Sequence, residues 1–553
     1  MIGEFAADPR FGADRSPQFD VCIVGGGAAG LTLAASLIDS GLAVAVLEAG
    51  GYKPDAKGLD AYSGEVADPK SHPFLHHFRV RAIGGASRIW GGRCIPFDPI
   101  DFAERPWVAG PGWPIGLQAL EPYYIAAQDA AEAGPFDYDP GHALPGRPPE
   151  FAPGLDGARI ETRLERFSKP TDFWRRYGDA LSAAQNVKVY LNAPVTGVRL
   201  QPDGKAVDHI EVAVADGARI PVRARRYVIA MGGLETTRLL LASNDVRAAG
   251  IGNDHDHLGR YYMSHLAATA GEVTFAGDPS VINYDYEKDA AGVYVRRRLW
   301  ITEQAQRELQ GLNTIFRTHL PDPVNPSHGD PILSAMYLVK DLVLYEYSRK
   351  MRDGGPGWGG RLRHVGNILA HPFKLAGFAV RWIRDRTLAE RKLPSVVLGS
   401  PHNRYPIEFH AEQAPNPDSR LTLTGDRDAY GMPRLRVDWR LSDIDLESLK
   451  RAYALLASEL ERTGVGQLDY DPADVATRAV AEGAYGGHHL GTTRMAADPR
   501  QGVVDTDCRV HGVADLYIAS GSVLPTSSQA NPTLTILALT LRLGDRLRAE
   551  LKP

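Results

Sequence analysis

Cysteine is scarce in this 553-residue chain: Cys22, Cys94 and Cys508 are its three, far apart in sequence. They form neither a metal-ligand spacing nor a disulfide framework, so no metal is expected and a reducing compartment fits. An excess of positive charge is missing too. Lys and Arg number 62 against 67 Asp and Glu, a net charge of -5. A nucleic-acid binder would normally be basic, so none is expected. No run of about 18 apolar residues exists to span a bilayer. Residues 1–19, MIGEFAADPRFGADRSPQF, lack the apolar core of a secretory signal, and the expected location is cytoplasmic. Repeats and low-complexity tracts are absent. What remains is the 44% hydrophobic, 23% charged composition of a globular protein, long enough for two or more domains.

The stretch Asp20–Gly51, DVCIVGGGAAGLTLAASLIDSGLAVAVLEAGG, organises the rest. Val21 to Val24 is an apolar run with no polar face, as expected of a parallel strand buried on both sides. It breaks into Gly25-Gly26-Gly27-Ala28-Ala29-Gly30, which satisfies G-x-G-x-x-G. Leu31 to Ser40 reads as a helix stopped at Gly41, and Leu42 to Leu47 as a second buried strand ending in Glu48 and Ala49. Gly25 permits the tight turn, Gly27 lets backbone approach a pyrophosphate, and Gly30 lets the helix lie close on the strand. The helix N-terminus offers unpaired N–H groups to phosphates. Glu48 can accept hydrogen bonds from both hydroxyls of an adenosine ribose, which argues against NADP without separating NAD from FAD.

Further along, Ile83 to Phe102 (IGGASRIWGGRCIPFDPIDF) is either backbone pressed against a flat ligand or a glycine-rich surface loop. Arg226 to Ala230 is a third short buried strand, and its glycine turn leads into a helix from Arg238 to Ser243. This is how a doubly wound sheet continues. From about Ala267 the texture changes. Gly271 to Phe275, Gly292 to Leu299, Tyr405 to His410 and Arg420 to Thr424 alternate as antiparallel strands do. Pro433 to Trp439 pairs with the last of these, and the whole reads as a second domain carrying a large sheet. A helix follows from Asp443 to Thr463. Residues 349–392 interrupt the sheet with eleven Lys or Arg against three acids. Apolar residues, Phe373 and Trp382 among them, recur there at roughly helical spacing. Such an insert marks a membrane surface, or else an arm packed on a subunit or over the active site.

Near the C-terminus, His488-His489-Leu490-Gly491-Thr492-Thr493-Arg494-Met495 precedes a last strand, Leu516 to Ala519, with its turn at Ser520-Gly521. Then comes Ala530-Asn531-Pro532-Thr533. Asn531 and Pro532 match N-cap and N1 preferences for a helix running from Leu534 to Leu543.

Strand-GGGAAG-helix-Glu48, the GGAS…WGG segment, HHLGTTRM and LYIASGSVLPT…ANPTLT together resemble the glucose–methanol–choline (GMC) oxidoreductases. The motifs stand in the family's order at both ends of the chain, while residues 270–480 match only in outline. The resemblance implies an α/β fold: a Rossmann-like FAD-binding domain with a discontinuous second α+β domain on a large antiparallel sheet. The division expected is 16–110, 185–266 and 484–553 for FAD, against 111–184 and 267–483 for substrate. It also implies oxidation of an alcohol by hydride transfer to the flavin.

The family's H-x-x-G-T pattern selects His488 as catalytic base, and its second catalytic position falls on Asn531. That His/Asn pairing is similar to pyranose oxidases and related sugar 3-oxidases, which implies a sugar or glycoside secondary hydroxyl as substrate. Covalent members carry a His before the Trp of the GG…W segment. Ile89 stands there before Trp90, so non-covalent FAD is expected. Ala86, Ser87, Trp90, Gly91 and Gly92 resemble the loop against the flavin, and Val195 the position meeting adenine. Ala230 closes the third strand, Ser520 and Gly521 resemble the ribityl turn, and Pro532 and Thr533 lie by the pyrimidine edge. Leu258 to His265 resembles a family segment without an assigned role. The base works from an unperturbed pKa of about 6.5. Asn531 holds the same oxygen. The alternatives are a dehydrogenase that sits peripherally at the membrane through 349–392 and passes electrons to a membrane quinone or cytochrome rather than to oxygen, and a flavin-containing lyase.

Overall fold

The computed structural model describes residues 1–12, 18–214, 217–340, 357–484 and 486–551. Residues 349–356 of the basic insert lie outside the described residues.

Two eight-stranded sheets frame the molecule. In the first, Gln18–Val24 pairs in parallel with Val44–Leu47, which pairs in parallel with Val187–Leu191. Continuous Val, Ile and Leu runs suit this position, since helices cover both faces. On the other side of Gln18–Val24 lies the long strand Arg219–Ile229. Its last residues also pair in parallel with Leu516–Ile518, from near the C-terminus. Its first residues turn away to form an antiparallel arm with Val207–Ala213 and Val195–Leu200.

The helix after the glycine turn runs Ala28–Ser36, starting earlier and ending sooner than Leu31 to Ser40. Asp39 and Gly41 both take left-handed backbone angles (φ 59° and 78°), which unwinds the chain before the second strand can begin at Val44. The later helix likewise starts earlier than expected, at Gly232, and ends at Ala242.

The second sheet orders Gly466–Asp469, His265–Phe275, Arg404–Glu412, Thr314–Thr318, Tyr294–Ile301, Ile160–Phe167 and Arg93–Cys94. One face is apolar. Leu266, Ala268, Phe316, Ile407, Phe409 and Leu299 cluster with Leu449, Tyr453 and Leu456 of the helix Asp443–Thr463. The alternate residues point the other way and are largely polar, although Trp300 and Ile315 on that side pack against Ile100. Arg420–Arg427 and Pro433–Asp438 do pair, but with Glu65–Val66 in a separate three-stranded sheet rather than in the large one.

The chain passes repeatedly between the two layers. Helices Glu121–Ala130 and Phe173–Ala183 pack on the nucleotide side, against Thr533–Leu551 and Ala28–Ser36 respectively. Arg93–Cys94 instead joins the second sheet beside Ile160–Phe167. Among the described residues no helix is long and apolar enough to cross a membrane.

Candidate active site

A cavity of about 1250 Å³ runs between the layers. Its nucleotide end is built by the first strand–turn–helix. Gly25 (φ 109°) sits so close that a Cβ there would lie 2.6 Å from the Ala230 carbonyl oxygen, and one on Gly30 would lie 1.9 Å from that of Gly25. Gly30 therefore packs the helix onto the strand and does not line the cavity, whereas a Cβ on Gly27 or Gly91 would enter open space there. Gly27 gives the helix Ala28–Ser36 no side-chain cap, and Gly27, Ala28 and Ala29 line the cavity, which leaves the start of the helix open to a phosphate. Buried Glu48 accepts from the Gly26 and Gly50 N–H groups at 2.8 and 2.7 Å. Burial raises its carboxyl above the ordinary range, against the opposing pull of those two N–H bonds and of Arg81.

Gly25, Gly27, Ala28, Ala29, Glu48, Ala49, Ala86, Ser87, Trp90, Gly91, Gly92, Val195, Ala230, Ser520, Gly521, Asn531, Pro532, Thr533 and His488 all line this one cavity. Trp90 is fixed by donating its indole N–H to the Thr171 carbonyl at 2.8 Å.

At the other end the chemistry is set by Ser527 to Asn531. This loop is pinned from below. Ser528 Oγ donates to Asp101 at 2.6 Å, and Gln529 donates to Asp98 while accepting from Arg298. The loop's carbonyls then organise two histidines. His265 Nε2 lies 3.1 Å from Ser527 O, and His410 Nδ1 lies 2.5 Å from Gln529 O. A carbonyl only accepts, so both of these nitrogens carry protons.

The consequence reaches His488. Neutral His265 with its proton on Nε2 has a lone pair on Nδ1, which lies 2.7 Å from His488 Nδ1. His488 must donate there, leaving its Nε2 unprotonated, and that atom receives the Asn531 Nδ2–H at 3.1 Å. Backbone pairing explains the meeting. Met263 and Leu490 form an antiparallel bridge, and two residues further along each strand positions 265 and 488 fall opposite one another.

Burial, with His265, His489 and Arg93 nearby, pushes His488 well below the usual histidine pKa; His265 is held at about 4, mainly by burial. His488 is thus neutral much further into the acid range than an unperturbed imidazole. His489 turns away, stacked on Tyr262 at 6.2 Å between ring centres.

Asn531 does not cap the C-terminal helix. That helix starts at Thr533, and the Pro532 carbonyl accepts its first bond, from Ile536. The Asn531 amide is committed to His488 instead, and its Oδ1 is buried with no hydrogen-bond partner.

The polar face of the second sheet forms the remaining wall, with His265, His410, Glu408, Arg317, His319 and Arg296 on it. Arg317 stands opposite Glu408 in register, donates to it at 2.6 Å and donates also to buried Glu165 at 2.6 Å. Arg317 and Arg93, with Arg296 and Arg298, hold the Glu165 carboxyl at about 2 against the effect of burial. Sequence reasoning gave the segment ending in His265 no role, and passed over His410 and this charged face. The available signal was the alternation of charged with apolar residues in YVRRRLWI, TIFRT and RYPIEFHAE.

The residues fit a flavin dinucleotide. The cavity is larger than an ordinary small-molecule pocket. One end offers a helix N-terminus, open glycines and a buried carboxylate. The other offers an unsatisfied carboxamide oxygen beside an unprotonated imidazole nitrogen.

Residues 415–540 match the family model described as GMC oxidoreductase. Over 96% of this chain and 98% of its own length, the fructose dehydrogenase large subunit of Gluconobacter japonicus is 22% identical. A C-glycoside 3-oxidase of Microbacterium trichothecenolyticum is 27% identical over 68% of this chain and 57% of its own. The crystal structure of pyridoxine 4-oxidase from Mesorbium loti covers 95% of this chain and 98% of its own, with a TM-score of 0.52 at 17% identity. Fold and site thus define an FAD-dependent alcohol or sugar oxidoreductase acting on CH–OH groups. Residues 415–540 of the chain thus carry a GMC oxidoreductase C-terminal domain.

Proposed function

We propose that the protein oxidises a secondary hydroxyl of a sugar or glycoside to a ketone, with His488 as the base. The observation that carries this reading is the bond between unprotonated His488 Nε2 and the Asn531 Nδ2–H, an acceptor and a donor 3.1 Å apart on the cavity wall. A carbinol O–H inserted between them replaces that bond, donating to His488 Nε2 and accepting from Asn531 Nδ2, which fixes the C–H direction before any covalent bond breaks. As the proton passes to His488 Nε2, the imidazolium keeps its Nδ1–H bond to His265. Bound against Ala86 to Gly92 and Ser520 to Thr533, FAD supplies the hydride acceptor.

The charged sheet face supports a hydroxyl-rich substrate. Arg317, Glu408, His319 and His410 make that stretch of cavity wall polar, which suits a substrate carrying several hydroxyls better than a small aliphatic alcohol. That the relatives include a fructose dehydrogenase and a C-glycoside 3-oxidase is consistent with this. Ile89, half-exposed on the cavity wall, replaces the histidine that would tether the flavin, so the cofactor is held non-covalently.

The test is anaerobic bleaching of the flavin by a panel of sugars, glycosides and simple alcohols. Sugars or glycosides should bleach the wild type, and His488→Ala should slow bleaching by about 10²- to 10⁴-fold. Bleaching by aliphatic alcohols alone would sink the sugar assignment, and no bleaching with turnover would point to a lyase. Reoxidation by air, a quinone or a cytochrome then identifies the acceptor.

A further inference from the structure

The basic insert is not used by this chemistry. Its described part forms two helices, Trp358–Ala370 and Pro372–Trp382, broken where Pro372 cannot continue the first. One face of the first helix is anchored. His364 is fully buried against Ser334 Oγ at 3.1 Å, and Asn367 donates to the Pro326 carbonyl at 2.9 Å.

The other face is bare. Trp358, Leu362, Val365 and Leu369, spaced i, i+4, i+7 and i+11, are 81%, 69%, 42% and 73% exposed. Phe373 at 90% and Leu388 at 77% add to it along the second helix and the turn beyond. Scattered exposed apolar side chains are ordinary, but a concentration on one hairpin marks a contact surface.

Charge chooses the partner. Residues 357–392 carry eight Lys or Arg against Asp385 and Glu390. Arg361 lies over the Trp358 ring, so cation and aromatic share one patch. A two-fold contact with a second copy would set this basic face against itself. An anionic bilayer answers both features, taking the apolar side chains at the acyl boundary and the arginines at the headgroups. We propose that this hairpin seats the protein on an anionic lipid surface. Past the second helix the chain runs through Arg386, Thr387 and Lys392, which line the cavity. The docking face therefore adjoins one wall of the active site.

The experiment is flotation with vesicles of phosphatidylcholine, alone or mixed with phosphatidylglycerol. The wild type should float with the anionic vesicles roughly a hundredfold better than with the neutral ones at low salt. Added salt should weaken the binding. The double variant Leu369→Asp/Phe373→Asp alters only exposed positions and should keep its melting temperature while losing flotation. Ile125→Asp, at an exposed apolar site elsewhere, should float like the wild type. Equal flotation of the wild type and the double variant overturns the proposal. So does a lipid-free dimer, seen by sedimentation equilibrium, that the double variant dissociates.

Discussion

His265 and His488 meet through their Nδ1 atoms at 2.7 Å, and the Ser527 carbonyl on the far side of His265 decides which of them donates. The tautomer of His488 is thus fixed by a residue that need never touch substrate. Replacing His265 by Leu leaves the His488 Nδ1–H without an acceptor. Flavin reduction should slow by at least about tenfold. His265→Asn offers a carbonyl oxygen at the same place and should recover part of the rate, which a packing role alone would not predict. Stopped-flow reduction of the two variants makes the comparison.

Asn531→Asp reverses the hydrogen bond at the reacting end. A carboxylate has no proton to give His488 Nε2 and favours the imidazolium instead, raising the pKa of the base. Activity should therefore fall near neutral pH and recover as pH rises, while the wild type holds its rate well below pH 6.5 because burial keeps His488 neutral. The pH dependence of kcat/KM for both proteins reads this directly.

Two glycines of one motif should fail in different ways. A Cβ on Gly27 meets nothing within 4 Å, so Gly27→Ala should fold with a near-normal melting temperature yet purify with little flavin. A Cβ on Gly30 would press into the Gly25 carbonyl, so Gly30→Ala should lose about 1–3 kcal/mol of stability or more. Melting curves and the 450 nm absorbance of the purified proteins separate the outcomes.

Acid should weaken the fold itself. His72 and His265 are both held at about 4 by burial, below their unfolded value. Between that value and about 4 the unfolded chain binds more protons, so stability falls as pH drops through this window. Above it, these two groups contribute no slope. Melting temperature from pH 8 down to about 4 should be flat and then decline, and His72→Gln should flatten the decline.

The nucleotide half was legible because its parts are neighbours in sequence: a buried strand, three glycines, a helix start and Glu48 lie within one stretch. His488 and Asn531 were legible only as motifs, since nothing local places them 43 residues apart on one hydrogen bond. His265 was hidden because its role follows from the bridge between Met263 and Leu490, a long-range pairing with no local trace. The charged strands were ambiguous for another reason. Alternation shows that Arg317, Glu408 and His410 share a face, but the same pattern serves a sheet turned to water. The helix ends were misjudged where a side chain had another task, as at Asn531.

Leu516–Ile518 lies beside Arg219–Ile229, and the helix Thr533–Leu551 packs on Ala28–Ser36, with Gly544 close enough that a Cβ there would touch Ser36. On the ribosome, the glycine turn at Gly25 must therefore wait for the synthesis of Leu516–Ile518 and Thr533–Leu551 before its outer layer is laid down. Cofactor capture becomes a late event in biosynthesis, and a nascent chain stalled before Leu516 offers a half-finished cradle to proteases and chaperones rather than a yellow protein.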